Sequence, residues 1–288
     1  MFGTVRRGGK RNPVPCDRLL ELNISSRPAV FRMMDKIRPQ YVIHLAAQSV
    51  PRYSWHLEQL TFEVNVCGTL HLLDAVRCYC PETKFLHAST IQVYGRSFQS
   101  GRMLQEKDLL WPEDPYAASK VISEFTCSNY SQKFGLHVSI ARGFNHVGVR
   151  QPVHYVFSDW CRQIALAEIG KLDPVLHVGN LENRRDFIHA EDVAAAYEKI
   201  LSRGQSGQAY NVGSGKETSL NECLTYLLSR SRAPMQVTTD PGKFRRQISS
   251  VMRADCSKLR RLGWKPRKNV FQGLDELLGE WRETVRKK

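Results

Sequence analysis

Short apolar runs and stretches of helix-like hydrophobic spacing alternate along the first half of the chain. Three of the runs predict buried strands, at 40–45, 84–88 and 137–141. Between the first two, apolar side chains recur every three or four positions and predict a helix over 61–77: Phe62, Val66, Leu70, Leu73 and Val76. This alternation with short connections is typical of a parallel sheet that helices cover on both faces.

Proline and glycine mark the next boundaries. The segment 89–114 contains several of these residues and predicts a loop. Pro115 then stands where a helix accepts proline, in its first turn, so we expect a helix over 115–133. The segment 142–152, after the third strand, predicts another loop.

The pattern changes beyond residue 151. Further helices are predicted near 157–168, from Glu191, near 220–228 and near 273–285, with short strands at 175–178 and 208–212. We therefore expect an α/β chain with a doubly wound, Rossmann-like parallel sheet in residues 1–150 and a smaller domain in residues 151–288.

One expected element is missing from the sequence. A doubly wound dinucleotide fold normally begins with a strand, a glycine-rich turn and a helix whose N-terminal amides hold the pyrophosphate. The 288 residues contain no G-x-x-G-x-x-G, and Gly8 and Gly9 open no amphipathic helix. We therefore expect the sheet to lack its first βα unit.

Composition is that of a globular protein, with 42% hydrophobic and 24% charged residues. No apolar run approaches the roughly 20 residues needed to cross a bilayer, and the N-terminus lacks the apolar stretch of a signal peptide. The eight cysteines include no C-x-x-C pair of a zinc or redox site. Scattered reduced thiols fit a cytoplasmic protein. Because no apolar run is long enough, we expect no membrane, and because no cysteine pair has the required spacing, we expect no metal.

The formal charge of +14 lies at the two ends of the chain. Residues 1–12 carry four basic and no acidic side chains, residues 229–288 carry sixteen basic and six acidic ones, and the 216 residues between are balanced. Aromatic residues are not interleaved with the basic ones, so we expect no nucleic-acid partner. The charge suits a site that receives an anionic ligand such as a nucleotide diphosphate.

The sharpest chemical signal is DPYAASK at 114–120. On a helix, Tyr116 and Lys120 are four residues apart and share one face, so the ammonium can approach the phenol. A nearby cation stabilises the phenolate and lowers the pKa of the tyrosine, which makes its hydroxyl a proton donor or acceptor for a sugar oxygen. A second signal, STIQVYG at 89–95, places hydroxyls at the carboxyl end of a predicted strand, where open sheets bind ligands.

With these motifs the chain resembles the extended short-chain dehydrogenase/reductase family. HLAAQ at 44–48 is similar to the family's segment beside the cofactor, and NVCGT at 65–69 is similar to its helix motif. The resemblance implies that Thr90 hydrogen-bonds the reacting oxygen, that Tyr116 is the acid/base, and that Lys120 tunes Tyr116 and holds the nicotinamide ribose. It also implies cofactor contacts from Leu45, Ala46 and Ala47.

Later motifs narrow the resemblance to the GDP-sugar branch, most of all to GDP-6-deoxy-D-mannose reductases and their sister group, the GDP-mannose 4,6-dehydratases. These motifs are RGFNHVG at 142–148, VGNLE at 178–182 and RDFIHAED at 185–192. The resemblance implies that five side chains bind the nucleotide sugar: Gln92, Asn145, Asn180, Arg185 and Arg245. The last pairs the diphosphate, which suits a guanidinium fork.

Two positions depart from the patterns of these groups. The dehydratase uses a carboxylate two residues after its catalytic threonine, but this chain has Gln92, whose amide cannot act as a base at neutral pH. A reductase needs only hydride delivery to a C4 ketone and a proton from Tyr116. In GVRQ at 148–151, Arg150 replaces a glycine of the reductase pattern, so the backbone must avoid a positive φ or accept strain.

The segment FGTVR at 2–6 is similar to the family's second strand with its basic end. The resemblance implies that Arg6 or Arg7 contacts the adenosine 2′-phosphate, which favours NADP over NAD as the cofactor. Because the glycine-rich turn is missing, we expect a mis-set start of the reading frame, a truncated chain, or a degenerate protein with weak cofactor binding.

We therefore expect an NAD(P)-dependent enzyme that reduces GDP-4-keto-6-deoxymannose to a GDP-6-deoxyhexose. The alternative enzyme dehydrates GDP-mannose or epimerises another nucleotide sugar. The alternative of another class is a catalytically silent protein that binds a sugar nucleotide or a partner. Segments 58–80 and 115–134 carry apolar faces that in this family form a four-helix interface, which predicts a homodimer.

Overall fold

The computed structural model describes residues 1–6, 18–243, 251–253 and 255–287. Within these residues the strands are β1 (Phe2–Val5), β2 (Arg18–Glu21), β3 (Tyr41–His44), β4 (Lys84–Thr90), β5 (Val138–Gly143), β6 (Asn145–Val147), β7 (Val175–Val178), β8 (Arg184–His189), β9 (Ala209–Val212), β10 (Glu217–Ser219), β11 (Gln236–Thr239) and β12 (Val251–Met252).

The helices lie mainly between these strands. They are α1 (Arg27–Ile37), α2 (Pro51–Ser54), α3 (Glu58–Phe62), α4 (Gly68–Tyr79), α5 (Pro115–Phe134), α6 (Val156–Ala167), α7 (Ala190–Arg203), α8 (Leu220–Arg230), α9 (Ser257–Arg260) and α10 (Val270–Arg286). A π-helical turn (Glu63–Cys67) joins α3 to α4, and 3-10 turns occupy Ile91–Ser100 and Pro241–Lys243. No helix of the described ranges combines the length and hydropathy that a membrane span requires.

The strands form four sheets in the described part of the chain. β1 pairs with β2, and a second sheet has the order β3-β4-β5-β9. The pairing of β3 with β4 is parallel, with His44 opposite His87. In a third sheet, β8 lies between an antiparallel β10 and a parallel β12 and also pairs with β6, and β7 pairs with β11 in parallel. The predicted α/β class with parallel strands is confirmed.

The chain folds into two compact units whose segments interleave along the sequence. The first comprises Met1–Val93, Leu110–Ala141 and Ile200–Ala209, and the second comprises Tyr94–Leu109, Arg142–Lys199 and Tyr210–Lys288. The core of the first unit joins α1, α4 and α5 to strand residues such as Phe85. The core of the second joins α6, α8 and α10 around residues such as Trp160. The division of the chain into domains at residue 150 stays a prediction.

Local caps fix the limits of α5, the helix predicted over 115–133. The Asp114 carboxylate accepts the N–H of Ala117 at 2.7 Å, and Pro115 occupies the first turn. Gly135, with φ of 70°, ends the helix in the left-handed conformation. Because these signals are local, the predicted and observed helices agree closely.

Two predicted elements are wrong in part. The helix predicted over 61–77 contains the π-helical turn, which the spacing of its apolar residues does not reveal. The loop predicted over 142–152 contains β6, whose Asn145 lies opposite Phe187 of β8. This pairing depends on a partner far along the sequence, and so the local pattern could not predict it.

Arg150 tests the expectation about backbone strain. It adopts a φ of 64°, a region that favours glycine. Its N–H donates to the carboxylate of Glu280 on α10, which holds the residue in this conformation. The second unit therefore accepts the strain instead of avoiding a positive φ.

Gly68 opens α4 and allows a close approach to Ile24. A Cβ at Gly68 would lie 2.7 Å from Ile24 Cδ1, whereas a Cβ at Gly279 in α10 would meet nothing within 4 Å. We predict that Gly68→Ala lowers the free energy of unfolding by about 1–3 kcal/mol through overpacking. Gly279→Ala should raise it by roughly 0.5–1 kcal/mol, as for an unobstructed helical glycine. Denaturant unfolding measures both, and a stabilised Gly68→Ala variant would contradict the packing.

Candidate active site

Lys120 lies in the interior of the first unit. α5 carries it, and the residue is only 3% exposed. Its Nζ donates to the carbonyl of Ala88 in β4 at 2.8 Å. Burial lowers the pKa of Lys120 to about 8. The ammonium is therefore fixed to the strand that ends in Thr90.

The other two residues predicted to be catalytic are buried in the same unit. Tyr116 is one turn before Lys120 on α5 and is 8% exposed, and Thr90 at the end of β4 is 9% exposed. The Thr90 hydroxyl oxygen accepts the backbone N–H of Gln92 at 3.3 Å, which leaves its proton available to another acceptor. α5 and the carboxyl end of β4 thus supply all three side chains.

Gln92 follows Thr90 by two positions, as the dehydratase carboxylate does in the pattern of that group. Its side-chain carbonyl Oε1 is buried and meets no hydrogen-bond partner within the described ranges. An orphaned buried acceptor costs free energy unless a ligand donates to it. Gln92 Oε1 can therefore accept a hydrogen bond from a hydroxyl of a bound sugar, but the amide cannot remove the hydroxyl proton.

Asn65 joins two of the predicted motifs to α5. Its Nδ2 donates to Ser119 Oγ at 2.9 Å and to the Gln48 carbonyl at 3.1 Å, and its Oδ1 accepts the Gln48 N–H at 2.8 Å. Asn65 lies in the π-helical turn, a distortion frequent at functional sites. Sequence reasoning identified the motif at 65–69 but missed this bridging role, because the contacts depend on the tertiary fold.

Two buried histidines accompany Lys120. His44 Nε2 is 3.0 Å from Thr69 Oγ1, and burial, together with the charge of Lys120, lowers the pKa of His44 to about 3. Both ring nitrogens of His87 are buried without a partner among the described residues, and the same causes hold its pKa well below the ordinary range. Both rings are therefore neutral at neutral pH. Both histidines lie inside apolar runs of the sequence, which predicted them as strand residues and not as part of a site.

The predicted cofactor residues stand at strand ends. Leu45 is 61% exposed directly after β3, followed by exposed Ala46 and half-buried Ala47. Arg6 is exposed directly after β1, and Arg7 lies outside the described residues. An exposed guanidinium suits a phosphate and small apolar residues suit a ring, so the described residues fit a dinucleotide at these positions.

Apart from Gln92, which lies in the first unit, the described residues predicted to bind the nucleotide sugar belong to the second unit. Asn145 is exposed on β6, and half-buried Arg185 lies on the neighbouring β8. Asn183 links two of them, because its Nδ2 donates to the Asn180 carbonyl at 3.4 Å and its Oδ1 accepts from Arg185 at 3.4 Å. Burial lowers the pKa of Arg185. Arg245 lies outside the described residues.

Part of the motif at 185–192 holds the second unit together. Asp186 is fully buried and accepts the N–H groups of Ser214 and Gly215 at 2.7 and 2.8 Å. Asp192 accepts the N–H groups of Arg267 and Lys268 at 3.0 and 2.9 Å. These carboxylates organise loops, a role the sequence did not reveal.

A group of metal-ligand type lies in the second unit of the described chain. The ligand atoms of His189, Glu191 and Glu276 lie within 4.8 Å of one another. Lys268 Nζ is 3.0 Å from the Glu191 carboxylate and 2.8 Å from that of Glu276. An ammonium therefore already supplies the positive charge between these carboxylates.

Comparison with known proteins gives a consistent match. Residues 10–277 match the family model described as GDP-mannose 4,6 dehydratase. The GDP-6-deoxy-D-mannose reductase of Pseudomonas aeruginosa is 33% identical over 249 residues, which is 86% of this chain and 82% of that protein.

Solved structures extend the match to the fold. The structure of RMD from Pseudomonas aeruginosa complexed with NADPH superposes with a TM-score of 0.88 at 28% identity, covering 99% of each chain. The Thermus thermophilus UDP-glucose 4-epimerase complex with NAD superposes with a TM-score of 0.83 at 29% identity, covering 95% of this chain and 88% of that one.

Proposed function

Because the chain belongs to the GDP-mannose 4,6-dehydratase family, we propose that it is an NADP-dependent reductase that converts GDP-4-keto-6-deoxymannose to a GDP-6-deoxyhexose. The observation that carries the proposal is the buried Lys120 ammonium, held at the Ala88 carbonyl one helical turn from Tyr116. The similarity to a GDP-6-deoxy-D-mannose reductase and to an NADPH complex supports the substrate and the cofactor.

The reaction needs one proton and one hydrogen bond from the chain. Tyr116 donates its phenolic proton to the C4 oxygen of the sugar as that oxygen becomes an alkoxide. Thr90 donates its hydroxyl hydrogen to the same oxygen and stabilises the developing charge. Lys120 stabilises the phenolate that remains on Tyr116. NADPH, when bound, supplies the hydride that C4 receives.

The cofactor contacts of the proposal come from strand ends. Lys120 holds the nicotinamide ribose, and the segment Leu45, Ala46 and Ala47 lies along the dinucleotide. Arg6 or Arg7 pairs with the adenosine 2′-phosphate, because a guanidinium fork binds phosphate oxygens with two hydrogen bonds. This pairing distinguishes NADPH from NADH.

The nucleotide-sugar contacts of the proposal are polar. Asn145, Asn180 and Arg185 bind the nucleotide sugar, and Arg245 pairs the diphosphate. Gln92 accepts a hydrogen bond from a sugar hydroxyl, which satisfies its buried Oε1.

Dehydration of GDP-mannose requires a base that this site does not offer at the expected position. Gln92 stands where the dehydratase pattern has a carboxylate, and an amide does not take up a proton at neutral pH. The nearby acid on α5, Glu124, is buried and accepts a hydrogen bond from Ser89. These observations favour the reductase over its sister activity.

The proposed enzyme is a cytoplasmic homodimer. Apolar side chains of the first unit remain 36–61% exposed on α5, on α3 and directly before α3: Leu57, Leu60, Ile122 and Phe125. Exposed apolar side chains on two helices that pack together are typical of a protein interface. Seven free cysteines among the described residues support a reducing compartment.

The reductase is tested by mixing the chain with NADPH and GDP-4-keto-6-deoxymannose. We predict the loss of one NADPH for each GDP-6-deoxyhexose formed, followed by absorbance and product analysis. Tyr116→Phe should lower kcat by about 10²–10⁴-fold with little change in the unfolding temperature, because the hydroxyl acts in the transition state. Tyr41→Phe, at an exposed position of β3, is the control.

Three other outcomes would overturn the proposal. Conversion of GDP-mannose to its 4-keto-6-deoxy form with no net use of cofactor identifies a dehydratase. Turnover that Tyr116→Phe leaves unchanged, or no turnover by the unchanged chain, excludes the assigned chemistry.

The homodimer is tested by sedimentation velocity at micromolar concentration. We predict a dimer for the unchanged chain and a monomer for Phe125→Asp, because a buried unpaired carboxylate is costly at an interface. Leu172→Asp, at an exposed position of the second unit, should remain dimeric. A monomeric unchanged chain would contradict the interface.

A further inference from the structure

Burial disfavours the positive charge of Lys120 and thereby lowers the pKa of this residue. The Lys120 ammonium faces His44 on β3 and His87 on β4, and it disfavours the protonation of both rings. From its own helix it faces Cys127, which stays a neutral thiol because burial raises its pKa far above the ordinary range. Cys127 and Glu124 would each favour the charge of Lys120 when ionised, and because Cys127 stays neutral, the carboxylate of Glu124 is the negative charge that acts on Lys120 among the described residues.

Glu124 is placed to balance that charge. It lies four residues after Lys120 on α5, so the two side chains share one face of the helix. It is 3% exposed, and Ser89 Oγ in β4 donates to its carboxylate. Ser89 follows Ala88, whose carbonyl accepts from Lys120 Nζ. Adjacent residues of one strand thus hold the ammonium and the carboxylate.

We propose that Glu124 is a positioning residue whose carboxylate, anchored by Ser89, supplies the negative charge that keeps the Lys120 ammonium charged and seated at the Ala88 carbonyl. The inference rests on the proposed function only for what Lys120 then does to Tyr116 and the cofactor. The proposed interaction between the two charges concerns the folded chain alone, so it is testable without substrate or cofactor.

A charge pair and a purely structural hydrogen bond predict different pH dependences of stability. An unfolded lysine keeps its proton up to about pH 10.4, whereas folded Lys120 releases its proton at about 8. Lys120 therefore makes the fold more stable as pH rises through this window, because the unfolded state binds more protons. Removing the charge of Glu124 destabilises the fold only while Lys120 is protonated.

The experiment measures denaturant unfolding of Glu124→Gln from pH 6 to about pH 10, a range set by the window above. The glutamine keeps the volume and can still accept from Ser89, so that the charge alone is removed. We expect the loss of stability to be largest near pH 6 and to shrink as pH rises. In a Lys120→Met background, the loss should be absent at every pH.

Controls separate charge from packing. Ser89→Ala removes the hydrogen bond but leaves the carboxylate, and it should keep the pH dependence of the unchanged chain. Glu82→Gln removes an exposed charge of the same unit and should have no pH-dependent effect. A loss for Glu124→Gln that is equal at all pH values and in both backgrounds would overturn the pairing.

Two further outcomes keep the proposal testable. If Glu124→Gln fails to fold, its rescue by Lys120→Met supports the pairing, and failure in both backgrounds overturns it. Where the chain is active, kcat/KM should fall at alkaline pH as Lys120 loses its proton. In Glu124→Gln this fall should occur about one unit lower in pH, because the negative charge that favours the ammonium is gone. An inactive chain refutes the proposed function, while the unfolding series still decides this inference.

Discussion

A protonated amine held away from water is the constraint on which the first unit depends. An isolated buried ammonium is very costly, so the surrounding structure must supply acceptors and opposite charge. In this protein β4 supplies the Ala88 carbonyl to Lys120, and α5 supplies Glu124. The Asp114 cap and the Asn65 bridge to Ser119 then fix where that helix begins and how it sits on its neighbours. The position of Tyr116 follows from these contacts.

The second unit has a different task, because it positions polar side chains such as the exposed Asn145 on short strands. β8 organises it, with β6, β10 and β12 paired along its length. The buried carboxylates of Asp186 and Asp192 tie loops to this strand and to α7. Even the left-handed Arg150 is accommodated, by a hydrogen bond to Glu280. Asn145, Asn180 and Arg185, three of the residues proposed to bind the nucleotide sugar, therefore stand on the second unit.

The sequence predicted what local chemistry determines. Helix α5 was predictable because Pro115 is a local signal of a helix start, and helical spacing alone places Tyr116 and Lys120 on one face of that helix. Strand β6 was not predictable, because its partner lies about 40 residues further along the chain. The π-helical turn was not predicted, because apolar residues recur every three or four positions through it, as they do in an α-helix.

The same distinction applies to the candidate site. Glu124 repeats the four-residue spacing of Tyr116 and Lys120, but only the fold reveals that it is buried and bound to Ser89. His44 and His87 lie inside apolar runs, so the sequence predicted them only as strand residues. Their neutral state results from burial, which only the fold reveals. The roles of Arg7 and Arg245 stay predictions, since both lie outside the described residues.

The central claim is that the buried ammonium of Lys120 serves a bound dinucleotide. The most direct measurement is a fluorescence titration of NADPH against the unchanged chain and against Lys120→Met at neutral pH. The account predicts saturable binding by the unchanged chain and an affinity at least about tenfold lower for the variant, as expected when a charged hydrogen bond is lost. Equal binding by the two chains, or no binding by the unchanged one, would contradict it.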